Sequence, residues 1–271
     1  MMPRDPWHTG QVSAQQHRSD PRILNRRTLQ RDHRRLAQCL QPGMTVLDVG
    51  CGSGAITSGI ARAVSVSGHA LGIDRDEALL ALARQHYHDI PNLRFEQGDA
   101  VSLAFNPQFD VVTAARTLQW ISQPAHAIER MAKAVRPGGQ LVVLDYNHAN
   151  NSWEPDPPLE FRRFYHAFLD WRADSHWDNL MADHLPALFR AAGVINVEIF
   201  NDDEIARRGD ADFGDVAGIW TEVIRGVGQR MVAASFLSES ERMEAEIAYR
   251  EWVRNGLRKQ THQMRTVTGE V

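Results

Sequence analysis

The sequence predicts an α/β protein built on a doubly wound parallel sheet, and three observations carry that reading. Apolar runs of strand length alternate with helix-length amphipathic segments between residues 45 and 146. Strands alternating with helices imply right-handed βαβ units. The first run, "VLDVGCGSGAIT" (46–57), breaks at an acid and three glycines before a helix begins. Composition agrees: hydrophobic residues make up 43% and charged residues 24%, enough for a sizeable core.

Residues 1 to 20 are polar, hold Pro3, Pro6 and Gly10, and read as an arm or flap ahead of one domain spanning 21–271. Ile23, Leu24, Leu29, Leu36, Cys39 and Leu40 carry a helical pattern that "QPG" stops. "TVLDVG" (45–50) is nearly continuous in apolar residues, as expected of a strand buried on both faces. "GAITSGIARAV" then forms a helix, "HALGID" (69–74) a strand and "RDEALLALARQHYHDI" a helix. "LRFEQGD" (93–99) and "FDVVTAA" (109–115) are the third and fourth strands. "PAHAIERMAKAV" (124–135) is a helix, and "RPGGQLVVLDYN" holds a turn and a fifth strand.

Past Tyr146 the rhythm breaks. Residues 147–178 hold Pro155, Pro157, Pro158 and seven aromatic residues within 25 positions. "NLMADHLPALFRAAG" is a helix, 194–201 a sixth strand, and 212–236 and 239–258 are helical patterns before a last strand at "THQMRTVTGEV". The segments 147–178 and 212–258 are read as cap insertions projecting from the carboxyl edge of the sheet, where ligands of open α/β sheets bind.

A net charge of −4 and a sequence pI near 6.3 speak against a nucleic-acid partner. Cys39 and Cys51 form no CxxC pair, and no apolar stretch reaches the roughly 20 residues of a membrane span. The expectation is a cytoplasmic protein without a metal, since His86 and His88 lie two apart on a helix and share no face.

The spacing Gly50-x-Gly52-x-x-Ala55 fits a dinucleotide fingerprint, with Asp74 placed to take ribose hydroxyls. Three further features point elsewhere. Asp48 sits inside the first strand, where a dinucleotide-binding strand is usually apolar and where an acid suits an ammonium-bearing ligand. "GDA" (98–100) closes the third strand beside an adenine position. "RPGG" before strand five, with a seventh strand at the C-terminus, fits a different sheet.

On "VLDVGCGSG", "GIDRDEALLALAR", "LRFEQGDA", "FDVVTAARTLQWI" and "AVRPGGQLVVLD", the chain resembles the class I S-adenosylmethionine-dependent methyltransferases. It is most similar to the small-molecule enzymes of ubiquinone and menaquinone biosynthesis and to trans-aconitate methyltransferases. The match covers roughly residues 20 to 146 and fades beyond. It implies a Rossmann-like sheet of order 3-2-1-4-5-7-6 with strand seven antiparallel, and S-adenosyl-L-methionine as cofactor. It also implies that Asp48, Gly50, Cys51, Gly52, Ser53 and Gly54 face the methionine moiety. Asp74 and Arg75 would serve the ribose and adenine, Gly98, Asp99 and Ala100 the adenine, and Ala115, Arg116 and Thr117 the floor beneath the sulfonium.

The expected reaction is methyl transfer to a small, partly apolar molecule by in-line displacement; the alternatives are a protein or nucleic-acid methyltransferase, or a non-catalytic binder of the cofactor. Trp120, Trp153, Tyr165 and Trp171 are the candidate substrate contacts, although Phe161, Phe164, Tyr165 and Phe168 also fall at core-like helical spacing. If the acceptor must lose a proton, Tyr146, His148 and His176 are the candidate bases. Cys51 has no basic neighbour in sequence to make it a thiolate.

Overall fold

The computed structural model describes residues 24–271. The arm expected over residues 1 to 20 lies outside the described residues.

Two short helices, α1 (Leu29–Asp32) and α2 (Arg34–Cys39), replace the single expected run. The break is at His33, whose φ of −152° is not helical. Its ring turns inward, Nε2 lying 2.8 Å from Thr113 Oγ1, while Asp32 folds back to accept the Thr28 N–H at 2.7 Å. Side-chain bonds to the backbone thus compete with the helix.

Then come β1 (Thr45–Val49), α3 (Ala55–Ala63), β2 (His69–Asp74), α4 (Glu77–His86), β3 (Leu93–Gln97), β4 (Phe109–Ala115), α5 (Pro124–Ala134) and β5 (Val135–Tyr146). The second half holds β6 (Ser152–Glu154), α6 (Leu159–Asp174), α7 (Met181–Ala191), β7 (Ile195–Asn201) and β8 (Glu204–Arg207). It continues with α8 (Phe213–Ala217), α9 (Ile219–Ala233), α10 (Glu239–Asn255), β9 (Lys259–His262) and β10 (Met264–Glu270).

The main sheet has the order β3-β2-β1-β4-β5-β10-β7, with β10 antiparallel to both neighbours. That is the expected 3-2-1-4-5-7-6 sheet. β1 lies between β2 and β4, and chain direction across the sheet reverses there, leaving a crevice at the strands' carboxyl ends. The "RPGG" segment is strand rather than free turn: Gly138 (φ +74°) lets β5 begin early, at the cost of a register shift against Phe109 and Val111.

A second, three-stranded antiparallel sheet, β6-β9-β8, was not anticipated. Its strands are three or four residues long, too short for an alternation to show. It also divides the expected last strand at Gln263 into β9 and β10. Helices α6, α9 and α10 enclose an aromatic cluster of Phe161, Phe164, Tyr165, Phe168, Trp171, Trp220 and Tyr249. A capping box between Ser238 and Glu241 starts α10. No helix among the described residues is long and apolar enough to cross a membrane.

Candidate functional site

The turn after β1 is fixed by its own backbone. The amides of Gly50 and Cys51 both donate to Ile73 O, at 2.8 and 2.9 Å. Gly50 has φ +75°, and a Cβ there would lie 2.3 Å from the Thr117 side chain. Glycine is therefore what lets the ends of β1 and β4 close on each other. Asp74, at the end of β2, ties the turn down: Oδ2 accepts from the Gly52 amide at 2.8 Å and Oδ1 from the Asp76 amide at 2.9 Å.

A small cavity of about 110 Å³ opens on this turn. Its wall includes Gly50, Gly52, Asp74, Arg75, Gly98, Asp99, Ala100, Ala115, Arg116 and Thr117, ten of the fourteen residues expected around the cofactor. Trp120, expected on the substrate side, lines this cavity as well. Asp48, Cys51, Ser53 and Gly54 are not on its wall. Asp48 is buried behind the turn and accepts from Thr57 Oγ1 at 2.7 Å. Burial raises its pKa to about 6 against the pull of that bond. Burial likewise pushes the Cys51 thiol well above the usual range, which leaves no thiolate for chemistry. The buried Ser53 hydroxyl has no hydrogen-bond partner among the described residues.

A second cavity, about 920 Å³, lies beyond the ends of β4 and β5. Its wall is ionic, drawn from α1 and the residues just before it, β8, α8 and α9: Arg26, Arg27, Asp32, Glu204, Asp215 and Arg225 are among its members, with Tyr146 and Met264 from the sheet. The two cavities have Arg27 and Arg116 in common. Arg116 stands at φ +59° after β4. Its Nε donates to Tyr146 Oη at 3.0 Å and its Nη1 to Asp32 O at 2.9 Å. Burial raises the Tyr146 pKa above its ordinary value, against the pull of the Arg116 charge, so the phenol keeps its proton.

Glu204 accepts from His262 Nδ1 at 3.0 Å. The indole Nε1 of Trp220 can only donate, so His262 Nε2 accepts from it at 2.9 Å, and Nδ1 carries the hydrogen given to Glu204. Burial works to raise the pKa of Glu204, yet the His262 bond and the charges of Arg116 and Arg27 bring it to about 2.

The remaining sequence expectations fall away from both cavities. Trp153, Tyr165 and Trp171 belong to the cap's aromatic cluster, Tyr165 and Trp171 as buried core and Trp153 packed against them. The Tyr165 hydroxyl donates to His148 O, and Trp153 Nε1 donates to Gln260 Oε1 at 2.9 Å. Their helical spacing serves packing, and the insertion 147–178 contributes no residue to either wall. His148 is buried against Gln119, and burial, with Arg172, depresses its pKa well below the ordinary value. His176 is exposed past the end of α6. Of the three candidate bases only Tyr146 reaches a cavity. The insertion 212–258 does line the large cavity, through Asp212 to Arg225 and Arg250.

Sequence reading missed Arg27, Asp32 and Glu204. The signal was present as charge density: "NRRTLQRDHRR" (25–35) and Asp202-Asp203-Glu204.

A methyltransferase-domain family model matches residues 40–182, more than half of the chain. The chain is 36% identical over 114 residues to a 2-phytyl-1,4-naphtoquinone methyltransferase of Thermosynechococcus vestitus, covering 42% of this chain and 51% of that one. It is 28% identical over 179 residues to a demethylmenaquinone methyltransferase of Staphylococcus carnosus, 59% of this chain and 71% of that one. The aligned part thus spans only about half the length of the first of these relatives. Among solved structures, a phosphoethanolamine N-methyltransferase 2 of Haemonchus contortus, in complex with S-adenosylhomocysteine, has a TM-score of 0.55 at 16% identity, covering 88% of this chain and 51% of that one. At that identity the likeness is one of fold. The chain belongs to the methyltransferase-domain family, and its sheet is that of the class I S-adenosylmethionine-dependent enzymes.

Proposed function

We propose that the chain transfers a methyl group from S-adenosylmethionine to a small molecule by in-line displacement, the small cavity serving the cofactor and the large one the acceptor. The observation that carries this reading is the common wall: Arg27 and Arg116 border both cavities, so ligands in each would meet there. The cofactor supplies a methyl group already activated on a sulfonium.

The residues present suit that cofactor. Asp74 offers carboxylate oxygens to ribose hydroxyls at the end of β2, and the Gly98–Ala100 turn borders the place of a purine. Ser53, buried behind the turn, holds an oxygen with no partner among the described residues. Enclosure favours transfer because oriented reactants kept from water react as if at very high local concentration. An ionic wall suits a polar acceptor better than the partly apolar one expected from the aromatic segment.

The test is twofold. Calorimetry should give S-adenosylhomocysteine binding and no measurable NAD binding, and methyl-labelled cofactor incubated with a small-molecule extract should yield labelled product. Tight NAD binding, or labelling of bulk protein or RNA in place of small molecules, would overturn the reading.

A further inference from the structure

The charged groups on the large cavity's wall are mostly committed to one another. Arg26 faces Asp215 at 3.6 Å, Arg34 faces Asp202 at 3.5 Å, and Arg225 holds Glu246 at 2.7 Å. Asp32 takes the Thr28 amide at 2.7 Å and Arg31 Nε at 3.1 Å, with Arg116 Nη2 at 3.9 Å. Asp203 holds Arg265 at 2.8 Å, and Glu204 holds His262. Arg116 is spent on Tyr146 and the Asp32 carbonyl. Arg207 and Asp212 are exposed to solvent. One cation at the junction stands apart. The half-buried Arg27 guanidinium makes no direct hydrogen bond or ion pair among the described residues, feeling Asp32 and Glu204 only at longer range, and it borders both cavities.

A guanidinium in that position gains most from an incoming negative charge, since hydrogen bonds to charged groups are the strong ones. A second donor stands close by. The Tyr146 oxygen accepts from Arg116 Nε, which leaves its own proton for a ligand in the large cavity.

Among the described residues, the junction also offers no group free to take a proton from the acceptor. Glu204 is committed to His262 and held near 2, Asp32 is surrounded by donors, and Tyr146 keeps its proton. His33 and His148 border neither cavity.

Building on the two-cavity reading above, we propose that the acceptor enters already anionic, its charge held by Arg27 with the Tyr146 hydroxyl as second donor. The step then balances without a base. The bond from the acceptor's anionic centre to the methyl carbon forms as the methyl–sulfur bond breaks. That bond's electron pair stays on sulfur, which becomes a neutral thioether, and no proton remains to be removed.

The experiment uses the full chain, methyl-labelled S-adenosylmethionine, and a small-molecule cell extract separated at neutral pH into anionic, neutral and cationic fractions. Label is expected in a compound of the anionic fraction. Arg27→Met should cut that labelling roughly 10- to 100-fold, as loss of a charge-assisted contact does. Binding of S-adenosylhomocysteine should stay within about threefold. Tyr146→Phe should lower labelling while cofactor-product binding persists. Labelling confined to the neutral or cationic fraction overturns the proposal and leaves methyl transfer intact. Loss of S-adenosylhomocysteine binding in Arg27→Met, in step with activity, assigns Arg27 to the cofactor and overturns it too. No label in any fraction, with cofactor product still bound, removes the transferase reading and this proposal together.

Discussion

Arg116 Nε donates to the hydroxyl of Tyr146 at 3.0 Å, joining the end of β4 to the end of β5 on the wall where the two cavities meet. The bond requires Arg116 to sit at φ +59°, a conformation that costs a residue other than glycine on the order of 1–3 kcal/mol. The cost is offset by what the side chain then reaches: the Tyr146 oxygen and the Asp32 carbonyl. Strain at this position aims a buried cation, and the packed ends of two strands hold it there.

Asp74 gives the first prediction. Its carboxylate already accepts from two backbone amides, and each charged hydrogen bond to a ligand would add about 1.5–3 kcal/mol. Asp74→Ala should weaken S-adenosylhomocysteine binding roughly 10- to 100-fold by calorimetry. Asp74→Asn, which keeps one acceptor for the Gly52 amide, should fold normally and still bind weakly. Undiminished binding in Asp74→Ala would exclude a ligand at this carboxylate.

Glu204 gives a prediction in pH. Its folded pKa, about 2, lies below the ordinary carboxylate value, so its stabilising contribution is fully present above the unfolded pKa. That contribution is lost as pH falls through the folded pKa, over a window of roughly pH 4.5 to 2. With its side chain 29% exposed, a contribution on the order of 2–3 kcal/mol at neutral pH is the scale to expect. Denaturant midpoints of Glu204→Gln should fall below those of the parent at pH 7, and the gap should close toward pH 2. A gap that does not change between pH 7 and pH 2 would contradict the assignment.

Phe161 tests the aromatic cap. It is fully buried, with ring centroids 4.4 Å from Tyr249 and 5.4 Å from Trp153. Phe161→Ala should cost about 3–5 kcal/mol, visible as a lower melting temperature. Cofactor-product affinity in the fraction still folded should be preserved, because none of the cluster's buried rings lines either cavity. A normal melting temperature with lost turnover would restore the aromatic segment to a substrate role.

That cluster also marks where sequence reading stopped. The spacing of Phe161, Phe164, Tyr165 and Phe168 declares one face of a helix, but the same spacing serves a core and a pocket wall alike. The parallel strands, the turn at Gly50 and the acid at Asp74 were legible because each depends on a local pattern: an apolar run, then glycines or an acid, then a helix. Arg27 and Glu204 were not. They lie far apart in the chain, and only the closing of β8 against β9 and the entry of α1 bring them to one wall. The break at His33 was hidden too, since its cause is a hydrogen bond to Thr113 on a distant strand.

Leu24 carries the last prediction. The small cavity holds about 110 Å³, well below the roughly 300 Å³ at which small-molecule sites begin. Some part of its wall must therefore yield when a nucleoside enters. The backbone turn is braced by Ile73 and Asp74, and Thr117 is wedged against Gly50. Leu24 is the apolar member lying over Gly52, its Cδ1 3.0 Å from where a Cβ of that glycine would stand. It belongs to no strand of either sheet, so it is the side chain that can leave at least cost. Leu24→Ala should speed association of S-adenosylhomocysteine by about threefold or more, equivalent to a barrier lower by roughly 0.7 kcal/mol. Stopped-flow tryptophan fluorescence can follow this, because Trp120 lines the same cavity. An association rate that does not change would place the opening motion elsewhere on the wall.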